Sequence, residues 1–509
     1  MKRLIASLML AILAVACTET VAPKDNVPVL VSTSPENGAT GITSLSLSVE
    51  FTFDRFIRSA AASHKYITVD GGASVSNVSV QNKVLTVTVS GLGRGVTYTI
   101  TVPKGTVKSY SNDETGAPEI KFKFTTKEKS DVVVNPESWE DAATCVRNMG
   151  VGWNLGNTLD SNSGDVNSMW IEAFSARTPK DYETAWGQPQ ATRELIHMFK
   201  EAGFGAIRVP VTWYPHMGTV TVTIGSDQKG HWDVSTWTGY DVDPAWMARV
   251  EEVVNYVLDE DMYCILNVHH DTGSASTAWL RADKTVFNNV RDRYCYLWTQ
   301  IATRFNDYGE KLVFESFNEM LDNNGTWNYS TADAHEAINM YNAAFVETVR
   351  ATGGNNASRN LILNTYAAAP TKQALSAFKL PQDSAENHLL AEVHSYAPYS
   401  FAFDSAPNPK TVFDASCENE LKGIVETMNT YLVSKGIPCV LGEYGCDSAV
   451  RAEEELAKQA SCYVSNATKY NIACFYWMTL SDGTDRSVPK WTKPLIKDAI
   501  LKAYNDNKK

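Results

Sequence analysis

The sequence predicts an α/β protein: a (β/α)₈ TIM barrel preceded by a small all-β, immunoglobulin-like sandwich. Three observations predict it. Beyond Trp139, apolar strand-like runs alternate with amphipathic helical runs eight times, the pattern of a parallel sheet closed on itself. Before Trp139 the pattern is period-two with Gly-rich turns, as in a two-sheet sandwich. Finally, Leu312-Val-Phe-Glu-Ser-Phe-Asn-Glu-Met-Leu321 runs from β-forming residues into a polar pair, Asn318-Glu319. A buried strand that delivers a carboxylate at its C-terminal end suits the rim where barrels of this kind place their chemistry.

Size and composition bound the rest. A chain of 509 residues exceeds one ordinary domain. Its 44% hydrophobic and 20% charged residues describe a globular protein, and a net charge of −13 weighs against nucleic acid as a partner. Met1-Lys2-Arg3 and the apolar run Leu4 to Val15 read as a secretory signal, too short to span a bilayer. The signal ends in Leu13-Ala-Val-Ala-Cys17, which resembles a bacterial lipoprotein signal. Residues 1–17 are thus expected to direct export and leave an acylated Cys17 on the outer membrane or cell surface, the alternative being a periplasmic or extracellular protein. That anchor is the only membrane contact expected.

The other eight Cys begin at Cys145. Cys264, Cys439 and Cys474 sit inside apolar runs, where Cys behaves as a small hydrophobe. No C-x-x-C or H-E-x-x-H occurs, so no metal is expected. Gly150-Val-Gly-Trp-Asn-Leu-Gly156 has the wrong spacing for a dinucleotide fingerprint, and neither G-x-S-x-G nor G-x-x-x-x-G-K appears. No organic cofactor is expected.

Residues 26–126 form the sandwich. Leu45, Leu47, Val49, Phe51 and Phe53 alternate with polar residues, and the alternation returns at Leu85–Val89, Tyr98–Val102 and Ile120–Phe124. About seven short strands are expected. Ser34-Pro-Glu-Asn-Gly-Ala-Thr-Gly41 and Thr52-Phe-Asp54 resemble bacterial Ig-like domains of secreted proteins. All 13 Trp lie at Trp139 or later, so this domain has no Trp to stack on a sugar and reads as a spacer. Lys127 to Glu137 is the linker.

The barrel is assigned to residues 138–509, with strands expected at Val151–Leu155, Ala206–Pro210, Tyr263–Val268, Leu312–Phe317, Leu361–Asn364, Leu389–Val393, Cys439–Gly442 and Ala473–Trp477. Between them, Pro244–Leu258 has Asp243 to cap it and Val250, Val253, Val254 and Val257 on one face.

The strand ends carry the chemistry. They offer Arg208, His269-His270, Asn318-Glu319, His394-Ser-Tyr396, Glu443 and Trp477. Two carboxylates from opposite sides of one rim suit glycoside hydrolysis, in which one protonates the leaving oxygen and the other attacks or activates water. Asn318 is placed to bond a sugar 2-OH, His394 and Tyr396 to orient Glu443, Arg208 to favour its charge, and Trp477 to lie under a sugar ring. Glu315 and Glu392 share strand parity with the rim residues but lie inside their strands, so they read as buried, paired acids.

In order and by strand, these residues resemble glycoside hydrolase family 5, the cellulase family. The likeness spans about Val151 to Tyr504. Gly152-Trp-Asn-Leu-Gly-Asn-Thr-Leu159, Ile207-Arg-Val-Pro-Val-Thr-Trp213 and Leu266-Asn-Val-His-His-Asp271 resemble its endoglucanase and xyloglucanase branch, whereas Trp477-Met-Thr-Leu-Ser-Asp482 departs from it. The resemblance implies Glu319 as acid/base, Glu443 as nucleophile, retention of configuration and a polysaccharide substrate. Asn154, Trp213, His270 and Trp477 are assigned to substrate contact. The expected activity is a monomeric endo-β-1,4-glucanase. The alternatives are a β-mannanase, a dedicated xyloglucanase, or a non-catalytic surface glycan-binding lipoprotein. Retention requires the two carboxyl groups about 5–5.5 Å apart rather than about 6.5–9.5 Å.

Overall fold

The computed structural model describes residues 27–508 except 43–45, 59–61, 112–115, 128–138, 328–329, 448–449 and 478–482. The signal with Cys17, nearly all of the linker, Leu45 and the stretch after Trp477 lie outside the described residues. The chain divides into two compact units.

In the first unit, strands Leu30–Ser34, Ser46–Phe53, Val84–Ser90 and Ser74–Gln81 form one sheet in that order. Ala39–Ile42, Ile120–Thr126, Thr97–Val102 and Thr68–Val69 form the other. The alternating residues do what their period demands. Val49, Phe51 and Phe53 are buried from one sheet and Tyr98, Ile100, Phe122 and Phe124 from the other, while Lys121 and Lys123 face solvent. Phe51 meets Phe122 edge-on at 5.7 Å between ring centroids, joining the two sheets.

In the second unit, eight parallel strands close into a barrel. They are β1 (Val151–Asn154), β2 (Ala206–Val209), β3 (Tyr263–Asn267), β4 (Leu312–Glu315), β5 (Leu361–Asn364), β6 (Leu389–Ser395), β7 (Cys439–Gly445) and β8 (Ala473–Trp477), and β8 pairs back with β1. The helices that follow the strands are α1 (Arg193–Ala202), α2 (Pro244–Asp259), α3 (Lys284–Arg304), α4 (Ala332–Ala351), α5 (Lys372–Ala377), α6 (Ala415–Tyr431), α7 (Glu453–Thr468) and α8 (Pro494–Asn507). Local chemistry sets their ends. Asp243 accepts from the Ala245 N–H with Pro244 in the first turn, and Thr192 caps α1, which ends at Gly203 in the left-handed region.

The period of two explains the interior. Ala206, Ile265, Val313, Ile362 and Leu390 form an apolar layer with Ala142, Cys145, Val146 and Met149 of the helix Ala142–Met149. Each Val, Ile or Leu among them contributes about 1.5–3 kcal/mol on burial. Two residues further along each of these strands, and at the end of β1, the inward positions turn polar. They are Asn154, Arg208, Asn267, Glu315, Asn364 and Glu392, all buried. This layer is the base of the site.

Strands β1 to β4 end one or two residues short of the expected Leu155, Pro210, Val268 and Phe317, and two features depart further. Strands β6 and β7 run on to Ser395 and Gly445, past the expected ends at Val393 and Gly442, so His394 and Glu443 lie inside strands. The pairing slips between Val393 and His394, leaving Leu441 opposite Val393 and Glu443 opposite His394. That bulge adds a residue to β7 and turns Glu443 inward, out of simple alternation. The second departure is an antiparallel hairpin of Met217–Ile224 and Gly230–Val242, inserted between β2 and α2. The Arg293 guanidinium of α3 sits 4.0 Å from the Trp237 ring and 4.4 Å from that of Tyr240, pinning the hairpin by cation–π contact.

Candidate active site

Arg208 is the hub. Fully buried, its guanidinium binds Glu315 through both Nε (2.7 Å) and Nη2 (2.8 Å). Nη1 donates to Glu443 Oε1 (2.7 Å) and Asn154 Oδ1 (3.0 Å), and Nη2 also donates to Asn318 Oδ1 (3.0 Å). A planar fork with five donors is the one side chain able to serve so many oxygens at once. Burial works against its charge, but Glu315, Glu392 and Glu443 hold its pKa well above the ordinary value. Burial likewise opposes the charge on Glu315, and Arg208 overcomes it, so that pKa falls.

Glu443 receives a second donor, Tyr396 Oη, on its other oxygen at 2.7 Å. Both oxygens are therefore aimed. His394 lies between carboxylates. Its Nδ1 is 2.9 Å from Glu319 Oε1 and 3.6 Å from Glu443 Oε2, while Nε2 is 3.0 Å from Glu392 Oε1. Burial works against its positive charge, yet Glu443, Glu319 and Glu392 raise its pKa to about 10. The nearest oxygens of Glu319 and Glu443 lie within 4.8 Å of one another. Glu319 is the more open of the pair, its side chain 19% exposed against 6% for Glu443.

The other side of the cleft is built from neutral donors and rings. Asn267 Oδ1 accepts the Val211 N–H, which turns its Nδ2 towards His269 Nδ1 at 3.0 Å. That assignment leaves the His269 proton on Nε2, as a donor. Burial drives the His269 pKa well down and that of His270 to about 4, so both are neutral. Trp477 lies parallel to His269 at 5.7 Å and covers Gly156, where a Cβ would run into its ring. Asp160, not singled out from the sequence, accepts the Asn157 and Thr158 N–H groups and faces His270 Nε2 at 3.9 Å. Burial raises its pKa to about 6 against those two hydrogen bonds. Trp186 was also missed. Its ring is 36% exposed, 5.4 Å from His270, with Nε1–H bonded to the Asn162 carbonyl. A lone Trp in a long loop carried no periodic signal.

The donor atoms of Asp160, His269 and His270, and those of Glu319, His394 and Glu443, lie close enough to hold a cation. In each group an imidazole nitrogen already has a partner. Asn267 fixes His269 as an Nε2–H donor, and His394 Nδ1 faces Glu319. The donor set fits sugar hydroxyls better than a metal ion.

Three assignments change. Trp213 is fully buried and donates its indole N–H to the Asn267 carbonyl (2.9 Å), so it packs the wall and presents no face to a sugar. Asn154 is buried, accepting from Arg208 and donating to the Gly442 carbonyl, and so positions the site rather than lining it. His394 lies closer to Glu319 than to Glu443, which leaves Tyr396 and Arg208 to orient Glu443. Asn318 Oδ1 is taken by Arg208, so only its amide N–H groups are left to meet a hydroxyl.

A family model described as cellulase (glycosyl hydrolase family 5) matches residues 165–483, and one described as bacterial Ig-like domain matches residues 24–126. The chain is 34% identical over 406 residues to an endoglucanase A of Clostridium longisporum, covering 76% of this chain and 70% of that one. A glycoside hydrolase family 5 enzyme from Prevotella bryantii, solved with a xyloglucan tetradecasaccharide, is 40% identical with a TM-score of 0.63, covering 72% of this chain and 99% of its own. A broad-specificity endoglucanase from Ruminococcus champanellensis with bound cellotriose is 36% identical with a TM-score of 0.62, covering 71% and 98%.

Proposed function

The chain belongs to glycosyl hydrolase family 5, and on that premise we propose that it is a retaining endo-β-1,4-glucanase working by double displacement on cellulose, mixed-linkage glucan or xyloglucan. The observation that carries the mechanism is the approach of Glu319 to Glu443 within 4.8 Å. It supports the short separation of retaining enzymes over the wider spacing, about 6.5–9.5 Å, of an inverting pair that holds a water between its carboxyls. Glu319, the more exposed carboxyl, protonates the glycosidic oxygen and later activates water. Glu443, aimed by Arg208 and Tyr396, attacks the anomeric carbon. As the glycosyl–enzyme bond forms, charge leaves Glu443, and the same two donors receive it back when water cleaves the ester. Trp477, His269 and His270 supply the sugar's wall.

The xyloglucan-bound neighbour supports a branched glucan as one substrate. The test is to digest carboxymethylcellulose, mixed-linkage glucan, xyloglucan and mannan and follow the products by NMR. Internal cleavage of the glucans with the β-anomer appearing first is expected. Preferential cleavage of mannan, or an α-anomer first, contradicts the reading.

We also propose that the enzyme acts as a monomer outside the cytoplasm, held by a lipid on Cys17. The charged start, short apolar run and small residues before Cys17 support this. Labelled fatty acid should enter the wild-type protein but not Cys17→Ser, and labelling of both or neither contradicts the anchor.

A further inference from the structure

One buried acid has no part in the double displacement described above. Glu392 precedes His394 by two residues on β6, so period-two geometry points both inward. Space for its carboxylate exists because residue 442 is Gly. A Cβ there would run into Glu392 Oε1. Around it stand Arg208 of β2, whose Nε is 3.3 Å from Oε1, Glu315 of β4, held on the same guanidinium, His394 of β6, and Cys439 of β7. Beyond His394 lie Glu319 and Glu443, the latter bonded by Tyr396.

We propose that Glu392 is a positioning residue of the acid/base machinery, acting through His394 in the line Glu392–His394–Glu319 to set where the site's shared proton rests. The inference rests on reading Glu319 as the acid/base. An imidazole between two carboxylate oxygens, at 3.0 Å and 2.9 Å, must carry both of its protons unless one carboxyl is itself protonated. Glu315 and Glu443 each satisfy both oxygens with donors. Glu392 does not: Oε2 is buried with no hydrogen-bond partner among the described residues. Of the three carboxyls around Arg208, it is the one best suited to hold a proton. Burial and then the charge of Glu315 push its pKa up to about 7, near neutrality. Ionised, Glu392 holds His394 as imidazolium. Protonated, it weakens that hold, and the Nδ1 proton is more readily shared with Glu319.

Glu392→Gln tests this, since it keeps the shape and an oxygen for Nε2–H but removes the charge. Expected is a fall in kcat/KM on the order of tenfold for cello-oligosaccharides, a fraction of what general acid catalysis contributes. For a dinitrophenyl cellobioside, whose departure needs no proton, kcat/KM should stay within about twofold. In the ¹⁵N-histidine spectrum, His394 should lose its charge at lower pH in the variant than in wild type. Equal loss on both substrates, or no loss on either with an unmoved His394 titration, overturns the proposal. If the variant does not fold, wild type alone decides. One imidazole should hold both protons at about pH 8 and show a step near pH 7 from Glu392, whereas imidazoles all neutral there overturn it. Glu319→Ala separates this from the parent reading. Azide rescue of that variant beside an unaffected Glu392→Gln removes only the inference, and wild-type activity in Glu319→Ala removes the parent.

Discussion

One fully buried guanidinium, Arg208, faces three carboxylates. Deleting it with Arg208→Met leaves Glu315, Glu392 and Glu443 facing each other without the guanidinium that offsets their charge. Removing one partner of a buried ion pair costs about 3–5 kcal/mol, so the unfolding free energy from a urea titration should fall by that amount, the midpoint should drop with it, and activity should vanish. An unchanged midpoint would mean the acids find other donors. His394 gives the pH prediction. Its pKa is 6.5 as a free side chain and about 10 in the fold, so the folded state binds the proton more tightly. The stabilisation is complete below pH 6.5 and is lost as pH rises through about 10. Melting temperatures of wild type and His394→Gln should therefore converge over that window, and parallel curves would contradict the assignment. At this scale the sequence was informative about which side chains meet, because strand ends of a barrel share one rim. It was less informative about which atom bonds which. Trp213 and Asn154 both stand at strand ends, yet their polar atoms turn inward to Asn267 and Arg208.

Among the elements, β7 decides the geometry. Alternation from Val440 would leave Glu443 facing the helices, and it faces the barrel because an extra residue at the bulge resets the parity. No pattern of apolar and polar residues announces such a slip, which is why β6 and β7 run longer than expected. Gly442→Ala should be poorly tolerated, since the new methyl meets the Glu392 carboxylate. Overpacking of this kind costs about 1–3 kcal/mol. With His394 displaced, kcat should fall on the order of a hundredfold while KM changes little. A variant of wild-type kcat would show that the strand can yield. The inserted hairpin escaped notice for a different reason. Met217–Ile224 does alternate, Thr with Val and Ile, but lies where the eightfold repeat leads one to expect a loop.

For the whole molecule, division into a β unit and a barrel was legible because hydrophobic period changes from two to a strand–helix alternation near Trp139. Among the described residues the sandwich has eight strands where about seven were expected, the surplus lying in short pieces such as Thr68–Val69 that periodicity cannot register. Since that unit contains no Trp, deleting Asn26 to Thr126 should leave turnover on soluble glucan within about twofold. A large loss in a folded truncation would give the sandwich a part in catalysis. The central claim, that Glu319 is the acid/base and Glu443 the nucleophile of a retaining enzyme, is tested most directly by azide rescue with an activated aryl cellobioside. Glu319→Ala keeps the nucleophile and lacks only the base for the second step, so azide should restore turnover and yield a glycosyl azide of retained configuration. Glu443→Ala should give at most the inverted azide. Inversion from Glu319→Ala with retention from Glu443→Ala would contradict the assignment.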